Sequence, residues 1–376
     1  MRRVLLSAVV VAGLVGSLQP EHHPRQASAV AGELRTASVE PAASSPRPRA
    51  EPPTTVTPTP AAPTAVPGAA SAPGPERHRA RATASGFREY VALGDSWSAD
   101  VVFADVHGLP DDTHVPIDCA QSHVNYPKLV AKALDVAVLR DATCGSATTE
   151  HFASPQADLP LGGTNPPQFD RLTRTTDLVT VGIGGNDSGF AAAAVSCLSL
   201  TPVGVPLALP LPDLGVPFVS LENPPTGACK ERFTKGGVDV ISQRIRTSEP
   251  KLVAAFRRIH QLSPNARILA VNYLAGIPER GCWPLVPFTD SDMQYLYARF
   301  QELNAMVARA AAKGGAELVD TYTPSLGHHV CAAPNQRYVE GLGVLSLNDV
   351  AIAVPAHPNA AGARAQAAAV LSLLRR

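Results

Sequence analysis

The stretch "EYVALGDS", residues 89–96, is a short apolar run that ends in Gly-Asp-Ser, and "DLVTVGIGGNDSGF" (177–190) repeats its plan. Each reads as a buried strand emptying into a polar, glycine-containing loop. "VAVLRDATCGSATT" (136–149) reads the same way, and "NYPKLVAKAL" (125–134) has helical spacing. Further on, "VDVISQRIRTSEPKLVAAFRRIHQL" (238–262) is expected to be helical with a break near Pro250, and "ARILAVNYL" (266–274) to be a strand. A long helix over 290–315 and a last strand in "AELVDTY" (316–322) follow, and Asn359 could cap a C-terminal helix in "NAAGARAQAAAVLSLLRR". Apolar strands alternating with helices predict an α/β fold with a central parallel sheet covered on both faces.

Outside that region the chain is different. Met1-Arg2-Arg3, an apolar stretch from Val4 to Leu18 and the small residues Ala27-Ser28-Ala29 read as a signal peptide over 1–29. The apolar stretch is shorter than the roughly 20 residues a membrane span needs. Residues 30–86 are dominated by Pro, Ala, Thr, Ser and Arg without periodicity, and predict an extended, disordered linker. At Phe87 the composition changes abruptly, so 87–376 is the expected folded domain. Formal net charge is zero and pI is about 7.2, which gives no basis for binding nucleic acid or an acidic membrane surface.

In a parallel sheet of this kind, active groups gather at the carboxyl ends of the strands. Four loops fall there: after Leu93, after Leu139, after Ile183, and just before the last helix. Ser96 follows its strand and opens a helix, where main-chain N–H groups face developing negative charge. Gly145 can bring an N–H close to a ligand, and the Asn186 carboxamide of "GGND" can donate to an oxyanion. His357, in "AVPAHPNAAG" (353–362), has the character of a general base.

In this order the four segments resemble the SGNH hydrolase family, also called GDSL lipases and esterases. The likeness is carried by Gly94-Asp95-Ser96, Gly145, Gly185-Asn186-Asp187 and His357-Pro358-Asn359, and spans essentially all of 87–376. It is greatest to the secreted actinobacterial branch with three disulfides, which "VDTYTPSLGHHVC" (319–331) also resembles. The resemblance implies a flavodoxin-like three-layer α/β/α sandwich and acyl-ester hydrolysis through an acyl-enzyme. It assigns Ser96 as nucleophile and His357 as base, with an oxyanion hole from the Ser96 and Gly145 N–H groups and the Asn186 side chain. No GxSxG occurs, so the α/β-hydrolase scheme does not compete.

The pattern departs from the branch in three places. Trp97 and Asp100 stand where Tyr and Gly are common, His329 where an acidic residue is common, and Val354 where the last block usually has Asp. With no carboxylate three residues before it, His357 is expected to donate from Nδ1 to the main-chain carbonyl of Val354, which Pro355 holds extended. The rival partner is the carboxylate of Asp349.

Six cysteines in an exported chain imply disulfides, with fifteen connectivities open. The expectation is sequential pairing: Cys119–Cys144, Cys197–Cys229 and Cys282–Cys331. The insertion 191–230, apolar and bracketed by Cys197 and Cys229, is expected to border the acyl cleft as a wall or partial lid. His328 and His329 have no third ligand nearby, so no metal is expected, and nothing calls for a cofactor. The sequence therefore predicts a secreted, monomeric serine esterase or lipase, with phospholipase activity and cell-envelope association left open. The alternatives are a polysaccharide deacetylase and a non-catalytic cell-wall or glycan-binding module on a Pro-rich stalk.

Overall fold

The computed structural model describes residues 86–157, 159–199 and 229–376. The expected signal peptide, nearly all of the linker and the middle of the 191–230 insertion lie outside the described residues. Strand β1 (Glu89–Gly94) runs into the one-turn helix α1 (Ser96–Ala99), followed by β2 (Val102–Ala104), α2 (Tyr126–Leu134) and β3 (Val138–Asp141). Next come β4 (Leu178–Gly182), α3 (Phe190–Ser196), α4 (Cys229–Arg232), the hairpin β5 (Thr234–Lys235) and β6 (Val238–Asp239), and α5 (Val240–Leu262). β7 (Arg267–Val271), α6 (Asp290–Gly314), β8 (Glu317–Val319), β9 (Leu345–Ser346), β10 (Ala351–Ala353) and α7 (Ala360–Leu374) complete the described chain.

Among the described residues five strands form a parallel sheet in the order β3-β1-β4-β7-β8. Counting only these strands along the chain, the order is 2-1-3-4-5, the doubly wound arrangement of flavodoxin-like folds. Alternation along β1 assigns its two faces. Tyr90 and Ala92 are buried with Tyr126 and Val130 of α2 and Val370 of α7. Val91 and Leu93 are buried in the cluster that holds Phe256 of α5 and Phe300 of α6. A strand covered on both sides must be apolar throughout, which is why β1 reads as a continuous run. Truncating a fully buried residue such as Leu93 to Ala should cost about 2–5 kcal/mol.

Two glycines let the first loop turn tightly. A Cβ on Gly94 or Gly182 would collide with Ser98, whose hydroxyl donates to the Gly182 carbonyl at 3.0 Å. The close approach of β1, α1 and β4 therefore requires glycine at both strand ends.

Two findings differ from expectation. α5 does not break at Pro250 but passes through it without interruption. Ile245, Ser248, Leu252 and Val253 are buried on either side of the proline, and the Thr247 and Ser248 hydroxyls donate to the Arg244 carbonyl in the turn before it. Packing of this face holds a helix that local propensity would interrupt. The second is a small antiparallel sheet, β2-β10-β9, built from strands of two or three residues that leave no periodic trace in the sequence. Cysteine pairing is sequential: Cys119–Cys144, Cys197–Cys229 and Cys282–Cys331.

Candidate active site

The switch point of the main sheet lies between β1 and β4, whose following loops leave in opposite directions and open a crevice at the strand ends. Ser96 follows β1 and Asn186 follows β4, so both stand at that crevice. Asp95 caps α1 by accepting the Trp97 N–H at 2.9 Å. This fixes the turn that presents Ser96.

His357 reaches the same point from the other end of the chain. Its Nε2 lies 2.9 Å from Ser96 Oγ. Its Nδ1 lies 2.8 Å from the carbonyl of Pro355, one residue later than the Val354 carbonyl expected from the sequence. The Val354 carbonyl also faces the ring as a lesser acceptor. The displacement follows from the backbone: Ala356 takes a left-handed conformation, φ 59°, which turns the chain so that the Pro355 carbonyl comes under the ring. Asp349 is not near Nδ1; it pairs with Arg364 at the surface. The ring is partly buried, and burial holds its pKa down at about 4 against the opposing pull of the two carbonyls. His357 is therefore neutral at neutral pH.

A buried glutamate does hold the backbone on both sides of this histidine's peptide. Glu340, fully buried, donates its N–H to the His357 carbonyl at 2.9 Å and accepts the Ala356 N–H at 3.0 Å. Its side chain holds Arg337, the Ser346 hydroxyl and the Asn359 amide. Asn359 in turn caps α7 by accepting the Ala361 and Gly362 N–H groups.

Of the expected oxyanion donors, Asn186 and Ser96 line the cavity beside His357. Asn186 Nδ2 donates one hydrogen to the Ala147 carbonyl at 2.9 Å, which orients the carboxamide and leaves the second hydrogen available. Gly145 is placed differently. Its N–H donates to the Cys119 carbonyl at 3.1 Å, because the Cys119–Cys144 bridge brings that carbonyl against it. The next residue, Ser146, has φ 62°, a conformation that favours glycine, and stands beside the Ala147 carbonyl that holds Asn186. Asp187 clamps this loop to the GGND turn by accepting from the Thr149 N–H and hydroxyl.

Three supporting residues carry no motif. Tyr273 donates its hydroxyl to Asp95 Oδ2 at 2.6 Å and accepts the Gly185 N–H at 2.7 Å, tying the serine loop to the asparagine loop. Burial raises the Asp95 carboxyl to about 7, with the Tyr273 bond opposing the rise. Gln168 brackets Gly94 with both amide atoms, donating to its carbonyl at 2.9 Å and accepting its N–H at 2.8 Å. Glu340 is the third. Each is a polar residue buried without an apolar period, a signal visible only once neighbours are known.

From Ser96 a cavity of ≈ 170 Å³ runs back between Trp97, Tyr273, Phe288, Phe300 and Leu303. Phe190, just before the insertion, and Ala194, Val195 and Leu198, at its start, form part of its wall. His328 stacks on Tyr338 and its Nδ1 lies against the Gln336 carbonyl, while His329 Nδ1 accepts the Cys331 N–H. No group of three or more metal-ligating side chains is found among the described residues. A serine hydroxyl held by a neutral imidazole, beside an orientated amide and an apolar cavity, can carry out acyl transfer.

The chain matches the model of the GDSL-like lipase/acylhydrolase family over residues 92–365. It is 35% identical to lipase 2 of Streptomyces coelicolor over 301 residues, covering 79% of this chain and 89% of that protein. It is 30% identical to an esterase of Streptomyces scabiei over 298 residues, covering 74% and 83% respectively. The fold is shared with the extracellular lipase of Streptomyces rimosus, at a TM-score of 0.54 and 23% identity over 76% of this chain and 99% of that one.

Proposed function

The chain belongs to the GDSL-like lipase/acylhydrolase family and is a carboxylic ester hydrolase, and we propose that it works through Ser96 as nucleophile and His357 as base. The observation that carries this reading is the 2.9 Å contact between Ser96 Oγ and a neutral His357 Nε2. His357 takes the serine proton as Oγ attacks the acyl carbonyl, and charge moves onto the carbonyl oxygen. The Asn186 amide and the Ser96 N–H stabilise that oxygen, while the Gly145 N–H is held by the Cys119 carbonyl. The imidazolium then protonates the leaving alcohol. Water repeats the sequence on the acyl-enzyme and releases the acid.

The Pro355 carbonyl serves as orienting group. It fixes which ring nitrogen carries the proton and partly offsets the imidazolium charge, as a carboxylate would do more strongly. The apolar cavity beside Ser96 suits the acyl rather than the alcohol part of the substrate. Three disulfides fit an oxidising compartment, and together with the basic, then apolar N-terminus they support export. No described helix is long and apolar enough to cross a membrane.

Hydrolysis of a series of p-nitrophenyl esters of increasing chain length, beside phosphatidylcholine and acetyl-xylan, tests the reading. Asn186→Ala should lower kcat by about 10²–10³ on the best ester with little change in KM. Full activity in Asn186→Ala, or a best substrate with no acyl ester, would refute it.

A further inference from the structure

Six of the fourteen large apolar side chains exposed among the described residues fall in two short segments, 103–106 and 345–352. They are Phe103, Val106, Leu345, Leu347, Val350 and Ile352, from 38% to 64% exposed. The small sheet collects them. Ile352 of β10 lies opposite Leu345 of β9, and Ser346, Ala351 and Ala353 on the alternate positions are buried; a bulge between Ile352 and Ala353 shifts the register with β2, where Val102 is buried beside the exposed Phe103. The sheet is thus apolar on the side that faces water, the reverse of what a half-buried sheet needs. Scattered apolar residues are ordinary on a surface, but six gathered on one sheet and its turns mark a contact surface.

Two observations identify the occupant. The first is charge. Segments 101–110 and 341–357 contain no lysine or arginine, and their two carboxylates are engaged. Asp105 accepts from the main chain of His107 and His123, and Asp349 pairs with Arg364. Such a surface has nothing to offer a strongly anionic partner, and it fits one that carries no net charge. The second is continuity with the site. Leu342, three residues before β9, and Pro355 to His357, beginning two residues after β10, line the catalytic cavity. The sheet is thus joined through both of these segments to residues that line the cavity.

We propose that the outer face of β2-β10-β9 docks this hydrolase on the electrically neutral surface of an aggregated lipid ester, bringing the rim of the cavity to the interface. The proposal rests on the ester-hydrolase reading for its substrate, but binding is measured apart from catalysis.

The test uses the intact chain carrying Ser96→Ala, so that nothing is hydrolysed, and its co-sedimentation with phosphatidylcholine vesicles. Combining Leu347→Ser, Val350→Ser and Ile352→Ser should lower the partition coefficient at least ~10-fold, since apolar area entering lipid sets binding. Raising salt should change it little, because no net charge drives it. With Ser96 restored, the triple variant should keep kcat/KM on soluble p-nitrophenyl acetate within ~2-fold and lose activity on an emulsified ester. Absence of vesicle binding by the parent, unchanged binding by the triple variant, or binding that needs anionic lipid and falls with salt would each overturn the proposal. So would sedimentation of the parent as a dimer that the substitutions dissociate. Failure of the parent to cleave the soluble ester would instead defeat the ester-hydrolase reading, and leaves the vesicle result to be judged separately.

Discussion

His357 and Asp95 both adjoin Ser96, and burial moves both in the direction of the neutral form. For His357 the folded pKa is about 4 against 6.5 unfolded, so between those values the unfolded chain binds a proton that the folded chain refuses. Stability from this group therefore rises with pH across 4 to 6.5. For Asp95 the folded value is about 7 against 3.8, so the folded chain holds the extra proton and stability falls as pH rises across that window. The two contributions oppose each other. Asp95→Asn removes the second, and thermal unfolding as a function of pH should show the melting temperature of the variant climbing more steeply from pH 4 to 6.5 than that of the parent. Identical slopes would mean that Asp95 does not hold its proton. Tyr273→Phe deletes the donor to Asp95 and the acceptor for Gly185; a loss of about 1–3 kcal/mol is expected from buried groups left unpaired, with kcat falling more than KM rises. Chemical denaturation and steady-state kinetics on the same preparation check both halves.

At the scale of elements, what was legible depended on period and punctuation. Strand β1, helix α2, and helix α7 with its Asn359 cap follow from apolar spacing and capping chemistry, and Ser96, Asn186 and His357 follow from the strand ends that precede or face them, whereas the Asn125 cap of α2 emerges only in the fold. The sheet β2-β10-β9 could not be read, since strands of two or three residues have no period to detect. Nor could the identity of the carbonyl under His357, which is decided by the left-handed turn at Ala356. Pro250 was misleading because buried contacts on both sides outweigh a missing N–H. The Cys119–Cys144 bridge, 25 residues in span, holds the loop that faces Asn186. In the chain-entropy model it contributes about 3.5 kcal/mol. Replacing both cysteines with alanine should lower stability by about that amount and also lower kcat, as measured by urea unfolding and ester hydrolysis. Unchanged kcat would separate the loop from catalysis.

For the molecule as a whole, the 2-1-3-4-5 strand order explains why residues far apart in sequence meet. It opens one crevice, between β1 and β4, and the small sheet swings His357 into it from 261 residues away. The doubly wound class was predictable from alternating elements, but the crevice position required the pairing of β1 with both β3 and β4. The central claim is a serine–histidine dyad oriented by a carbonyl, with no carboxylate on the ring. The rate of covalent labelling of Ser96 by a fluorophosphonate, located by mass spectrometry, tests it in the parent, Asp349→Asn and His357→Ala. Parent and Asp349→Asn should label within ~2-fold of each other, while His357→Ala should label at least ~10³-fold more slowly. Labelling at a different serine, undiminished labelling in His357→Ala, or an Asp349→Asn rate as low as that of His357→Ala would contradict the dyad.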